Sequence, residues 1–155
     1  MTDIVTGKDH MLRELVAFRI GNQDFCVDIM SVREIRGWTP ATPIPHAPGF
    51  VRGVINLRGT VLPIIDLAHR FGLPPTEPTD RHAIIVSQIG DQLVGLLVDA
   101  VSDILSTDEG DIQPTPEVVS TLAKSFVRGV LAIDGRMLSI LTLENILPPR
   151  EKEAA

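Results

Sequence analysis

The stretch F-V-R-G-V-I-N-L-R-G, beginning at Phe50, returns as F-V-R-G-V-L-A-I-D-G, beginning at Phe126. Set at an offset of 76, residues 50–67 and 126–143 share nine identities in eighteen positions. These are the five-residue head, Gly59/Gly135, Leu62/Leu138, Ile64/Ile140 and Leu67/Leu143. The segments before them also match, at an offset of 69: Gly21 meets Gly90, Gln23 meets Gln92, Val32 meets Val101, Glu34 meets Asp103 and Ile35 meets Ile104. A chain with this internal order must build two similar units, each about 65–75 residues long and the size of one small β-barrel. Each unit reads hairpin, V-x-[ED]-I segment, connector, F-V-R-G-V, second hairpin, short helix.

The elements within a unit are strands. Short runs rich in Val, Ile and Leu recur between Gly, Pro, Asn and Asp, which is the all-β pattern. The runs are Leu15–Ile20, Phe25–Ile29, Val54–Leu57, Val61–Ile65, Ala83–Ile89, Leu93–Val98, Val130–Ile133 and Met137–Leu141. Turn pairs at Gly21, Arg58, Gly90 and Asp134 join neighbouring runs into hairpins. Pro63 cannot donate to a ladder, which predicts an edge strand or a bulge there. Helical signals are brief, at Asp66–Phe71 before Gly72 and at Leu143–Leu147 before Pro148. The expected fold is all-β: two SH3-like five-stranded barrels with short helical connectors, produced by internal duplication. The subdomains are set at about 14–75 and 80–148, within one domain over 14–148, with the chain free to cross between them. Leu73–Asp80, L-P-P-T-E-P-T-D, is read as the surface link between the barrels, and residues 1–13 and 149–155 as flexible tails.

Within F-V-R-G-V, Phe50 and Phe126 are read as core anchors and Gly53 and Gly129 as bends where a connector enters a strand. What holds a fold together survives duplication in both copies. What differs between copies, such as N-L-R-G against A-I-D-G, is the better place to seek function.

Composition narrows the function classes. The net charge is −6, which argues against a nucleic-acid partner. No apolar run reaches the ~20 residues of a membrane helix, and the first residues lack the order of a signal peptide, so a cytoplasmic location is expected. The charge is uneven: residues 13–70 carry seven Arg against five acids, residues 77–155 six Lys or Arg against thirteen acids. Such a split gives a polar axis suited to head-to-tail contacts, with Arg33 and Arg52 among the cations of the more basic unit.

Chemistry finds little footing. Cys26, the single cysteine, sits in an alternating strand with no His near it in sequence, as a structural thiol would. His10, His46, His69 and His82 have no metal-ligand spacing, and no phosphate-binding glycine motif occurs. D-E-G-D at Asp108–Asp111 lacks the alternating ligands of a calcium loop and reads as a solvated turn. Asp66 and Asp99 read as strand-end caps rather than an acid–base pair. No catalytic residue, metal site or cofactor is therefore assigned. Contact is better supported: in Cys26–Trp38, Ile29, Val32 and Ile35 recur three apart with Arg33, Glu34 and Arg36 between them. Charges so placed are hard to bury and suggest an edge open to a partner. Trp38 and the Pro-rich stretch after it read equally as a rim or a connector.

Taken together, V-R-E-I-R-G, G-V-I-N-L-R-G, V-L-P-I-I-D-L, G-L-L-V-D-A-V-S-D-I-L and D-G-R-M-L closely resemble the CheW family of bacterial chemotaxis coupling proteins, from about Glu14 to Leu147. The resemblance implies two SH3-like barrels and a non-catalytic adaptor between the histidine kinase CheA and the cytoplasmic tips of methyl-accepting chemoreceptors. It also implies a protein that is monomeric in isolation, assembles into rings with the kinase's regulatory domain, and is recruited to receptor arrays without inserting into the membrane. Carried over by position, the family's receptor-binding groove falls on Ile29, Val32, Glu34, Ile35, Arg58, Val98, Val101 and Ile104; kinase contacts fall on the barrel ends without assigned residues. The alternatives are a CheW-like scaffold of a non-flagellar chemosensory pathway or, in a different class, a small-β-barrel ligand-binding module.

Overall fold

The computed structural model of the chain describes residues 12–115 and 125–147. Ten strands form where apolar residues alternate or run together between turn residues. They are β1 (Leu12–Ile20), β2 (Gln23–Asp28), β3 (Val32–Gly37), β4 (Val51–Leu57), β5 (Thr60–Asp66), β6 (Ala83–Ile89), β7 (Gln92–Val98), β8 (Ala100–Asp108), β9 (Val127–Ile133) and β10 (Arg136–Leu141). One four-residue helix, α1 (Leu67–Arg70), is capped by Asp66, whose carboxylate accepts from the His69 N–H. In the second unit the corresponding turn, Leu143–Asn145, is 3-10, because Thr142 stands where Asp66 does and makes no side-chain cap. The turns follow their residues: Arg58–Gly59 and Asp134–Gly135 take positive φ at both positions, the two-residue hairpin geometry.

The strands form two five-stranded sheets, ordered β8-β1-β2-β10-β9 and β3-β6-β7-β5-β4. The SH3-like double-barrel expectation holds, but the sheets do not follow the sequence halves 14–75 and 80–148. Each sheet takes the first hairpin of one unit and the last three strands of the other. The chain crosses between sheets twice, at the 3-10 turn Ile29–Ser31 and at Asp99. Two further readings are corrected. Leu73–Asp80 joins β5 to β6, which lie in the same sheet, so it does not link the barrels. Leu12 and Arg13, assigned to a flexible tail, belong to β1, while residues 1–11 and 148–155 lie outside the described residues. Pro63 sits on an interior strand opposite Val54, yet parallel pairing with β7 begins only at Ile64, so its missing N–H interrupts no β5–β7 bond.

Exchange decides where the core lies. Strands β1, β2, β6 and β7 are apolar on both faces, and alternate residues go to different cores. Val16, Phe18, Phe25, Val27, Ile85, Leu96 and Val98 fill a cluster shared by both sheets, with Phe126, Leu141 and Ile146. Leu15, Ala17 and Cys26 instead fill the barrel of the first sheet with Leu131, Leu138 and Ile140. Ile84, Val86 and Leu97 fill the other barrel with Ile55, Leu57, Leu62 and Ile64. Continuous apolar runs mark strands buried on both sides. Trp38 packs against this last cluster, and its N–H donates to the His82 carbonyl at 3.1 Å, so it belongs to the connector's core contact.

The repeated F-V-R-G-V also finds its physical reason. In each copy the residue after the glycine exchanges two backbone hydrogen bonds with the connector: Val54 with Thr42 (2.9 Å each way) and Val130 with Gln113 (2.8 and 2.9 Å). A Cβ on Gly53 would lie 2.3 Å from the Thr42 carbonyl oxygen, and one on Gly129 would lie 2.8 Å from that of Gln113. Close approach of the connector, more than a bend, is what the glycines allow. The Phe50 carbonyl accepts from Asp66 and the Phe126 carbonyl from Thr142, both at 2.8 Å, so the heads are tied to the fifth strand of each unit alike. Gly53 also stands at φ 141°. Gly53→Ala should therefore destabilise by at least about 2 kcal/mol in urea unfolding, and by more than Gly129→Ala, whose backbone carries no such φ.

Candidate interaction site

The two crossings lead directly into the V-x-[ED]-I segments, which form β3 and the first half of β8. Both strands stand at the edge of their sheets. Sequence reasoning did not count these segments among the strands, because their polar residues interrupt the apolar run. Each pairs on one side only, β3 with β6 and β8 with β1. The opposite sheet edges, β4 and β9, carry the connector bridges at Thr42 and Gln113.

The eight positions named from the resemblance divide into four groups. Ile29, Val32 and Val101 are half-buried and rest on the shared core. Val98 is inside that core at 1% exposure, so it supports the surface from beneath and offers no contact of its own. Ile35 and Ile104 are open, at 44% and 57% exposure, on the two repeat-related edges. Glu34 and Arg58 are brought together: Arg58 reaches from the β4–β5 turn to the Glu34 carboxylate on β3, and Arg36 donates to the same carboxylate at 3.2 Å. This pair spans the first and last positions of the sheet order and so closes that barrel. In the other barrel the corresponding closure is different: Arg128 on β9 holds Glu109, just past β8, at 2.9 Å, and Glu109 also takes Arg13 at 2.7 Å.

One exposed residue escaped the sequence reading. Met30, on the crossing turn, is 79% exposed and lies between Ile29 and the start of β3. Its signal was the Asp28 cap, whose carboxylate accepts from the Met30 N–H and sets a turn where a continued strand was expected through Ile29.

Arg58 is informative for its backbone. It takes φ 51°, a region where Asn, Asp or Gly are the usual occupants of such a turn. Its counterpart Asp134, at the same φ, is an ordinary turn residue. The arginine is thus present for its side chain. Hydrogen bonds from Arg58, then Arg36, hold the Glu34 carboxyl below the usual carboxylate range.

The remaining titratable candidates have structural partners. Asp66, fully buried, accepts from the Thr76 N–H and hydroxyl, both at 2.7 Å, and so anchors the Pro-rich link. Asp99 accepts from the Gly21 N–H at 2.8 Å and fixes the second crossing. Asp108 caps the Gly110 N–H at 3.0 Å in the 3-10 turn that presents Glu109 to its arginines. Burial pushes the Cys26 thiol up to about 12, which leaves it almost wholly un-ionised near neutrality. Arg52 donates to the Thr76 carbonyl at 3.0 Å and lies 4.0 Å from Asp66, so it is an internal fastening and not a free surface cation.

Two SH3-like barrels that share a core and leave two repeat-related edges open define a duplicated double-barrel module. The CheW-like domain family matches residues 14–151, and the chain belongs to that family. Chemotaxis protein CheW of Rhizobium meliloti is 62% identical over 143 residues, covering 92% of each chain. Chemotaxis protein CheW of Klebsiella aerogenes is 39% identical over 139 residues, covering 90% of this chain and 84% of that one. The crystal structure of the scaffolding protein TtCheW from Thermoanaerobacter tengcongensis matches with a TM-score of 0.84 at 36% identity, over 92% of this chain and 97% of that one.

Because the Glu34 carboxyl is depressed in the folded state, its contribution to stability is present above the unfolded-state value and is lost as pH falls through the folded one. A side-chain NMR titration should place the Glu34 midpoint below that of an unpaired glutamate, and Arg58→Ala should move it upward. An unmoved midpoint would show that the pair does not persist in solution.

Proposed function

We propose that this chain is a non-catalytic chemotaxis scaffold that couples a histidine kinase of the CheA class to the cytoplasmic tips of chemoreceptors. The observation that carries the reading is the pair of exposed isoleucines, Ile35 and Ile104, at equivalent positions on the two open edges. Duplication preserved an apolar residue at both places although neither packs in a core. On the same strand as Ile35, Glu34 holds Arg58, an arginine in a strained turn that is still largely exposed. Aliphatics to bury and charges to set register are what a receptor helix requires of an adaptor, and membership of the CheW family supports the choice of this partner class. Each contact of this size is weak, and repetition across an array supplies the strength. The protein acts in the cytoplasm, recruited to receptor arrays at the membrane; no helix among the described residues is long and apolar enough to cross one.

The charge asymmetry survives strand exchange. Residues 32–98, which form one barrel, carry six Arg against five acids, whereas residues 12–28, 100–115 and 125–147 carry four Arg against nine. A ring in which kinase regulatory domains and scaffold alternate end to end can use that polarity to orient neighbours.

Reconstitution of receptor-dependent kinase activation tests the function. The wild-type protein should raise kinase activity in the presence of receptor tips, and Ile35→Glu or Ile104→Glu should weaken tip binding by about tenfold or more while circular dichroism stays unchanged. Val32→Glu is a poorer probe, since Val32 rests on the shared core. Wild-type protein that binds neither partner would refute the reading. For the charge axis, ring assembly should weaken as salt rises and after Arg33→Glu, and assembly indifferent to both would remove the electrostatic part of the proposal.

A further inference from the structure

The two phenylalanines of the repeated motif meet on a single side chain. The Arg70 guanidinium lies 4.6 Å from the Phe50 ring centroid and 4.8 Å from that of Phe126. Its Nη2 donates to the Asn145 carbonyl at 3.0 Å, and its Nε donates to the Ile146 carbonyl. Arg70 ends α1 of the first unit, whereas Phe126, Asn145 and Ile146 belong to the second. At the repeat offset of 76, Arg70 and Ile146 are themselves counterparts. The arginine therefore stands where the two units exchange roles, with one equivalent ring from each on its flanks. Only one side chain can occupy such a place, so the copies must differ there.

The surroundings make this a strut rather than one more core contact. Beside Arg70 lies an open cleft of about 930 Å³, with Val51 and Ile65 on one side and Phe126, Asn145 and Leu147 on the other. Packed side chains fill the shared core beneath, and at this mouth the guanidinium makes a polar connection across. A planar fork suits that position because it offers two donors to successive carbonyls and two faces to rings, which an ammonium cannot do together. Away from this mouth, another polar fastening among the described residues is Asp99, which takes the Gly21 N–H and donates its own N–H to the Arg19 carbonyl at 3.0 Å.

We infer that Arg70 is a positioning residue that fixes one barrel against the other, and through them the relative placement of the open edges β3 and β8. The second half of this statement rests on the proposed function, in which one receptor partner meets both edges. The mechanism is preorganisation: a composite surface divided between two bodies binds in proportion to how firmly the bodies are held.

The test uses the full chain with Thr60→Cys and Ala132→Cys, exposed positions on opposite sheets, spin-labelled for double electron–electron resonance. Cys26 is fully buried and takes no label in the folded protein. The parent should give one narrow distance distribution. Arg70→Met, which keeps an apolar stem, should broaden it, and Arg70→Lys should fall between; receptor-tip affinity should drop about tenfold in Arg70→Met and less in Arg70→Lys. If Arg70→Met does not fold, Arg70→Lys alone decides. A parent-like distribution in either folded variant overturns the role of Arg70. Broadening with unchanged affinity overturns its effect on the edges. A labelled parent that fails to bind receptor tips refutes the proposed function instead, while the distances still judge the strut.

Discussion

The middle residues of strands β1, β2, β6 and β7 are buried on both faces, because each strand is at once a wall of one barrel and a wall of the joint between barrels. Val16 and Phe18 look one way and Leu15 and Ala17 the other; Ile85 and Ile84 divide in the same manner. This two-sided burial follows from the exchange of first hairpins between units, and most other features of the molecule follow from it in turn. Neither half of the sequence contains a complete sheet, so neither can satisfy its strands alone. The shared cluster also gathers four of the five phenylalanines into a chain of ring contacts, Phe18 to Phe25 to Phe71 to Phe126 at 5.9, 5.5 and 5.1 Å. Phe50 joins through Arg70. A protein with so few aromatic side chains has spent nearly all of them on holding two barrels together.

Exchange also decides where contact surface appears. A chain that must leave one sheet for the other does so at Ile29–Ser31 and at Asp99, and the strand that follows each crossing arrives at an edge. Edges invite unwanted pairing, and natural proteins discourage it with charge. Arg33, Glu34 and Arg36 on β3 and Asp103 on β8 serve that purpose while leaving Ile35 and Ile104 outward. The Glu34–Arg58 pair is exposed enough that its effect on stability is minor. Its effect on orientation is not minor: it holds an arginine in a fixed direction against the edge strand, with the turn's own hydrogen bond from the Gly59 N–H to Asn56 at 2.8 Å.

Much of this was legible in the residues. Repetition and turn spacing led to two barrels and to hairpins at Gly21, Arg58, Gly90 and Asp134, since periodicity and positive-φ preferences are local properties. The partnership between strands was not legible, because pairing within a unit and pairing across units satisfy the same alternation. The apolar run in β7, L-V-G-L-L-V, did carry a hint: a strand apolar on both faces needs two cores, and one barrel supplies only one. Of the eight contact positions, Val98 was misplaced for that same reason, as an interior residue of the joint looks in sequence like any other valine near the motif. Arg52 and Arg33 were indistinguishable as cations until Asp66, fully buried fourteen positions further on, proved to need a donor nearby.

The divergences between copies sort by cause. At Asp66/Thr142 the difference follows the helix cap and the buried anchor for the Pro-rich link, which only one unit has. At Arg58/Asp134 a conformationally awkward residue replaces an easy one, and the side chain it brings ties the β4–β5 turn to Glu34 on the edge strand β3. At Arg70/Ile146 the two copies converge on one place and cannot both fill it with the same group. Duplication alone would yield two equal edges and an unbridged mouth at the joint. One cap, one turn and one strut separate that symmetric object from a scaffold whose two edges differ in charge and are held in a fixed relation. Asymmetry of that kind gives a single chain two related but unequal edges, and at each of these three positions the repeat has a physical reason to break.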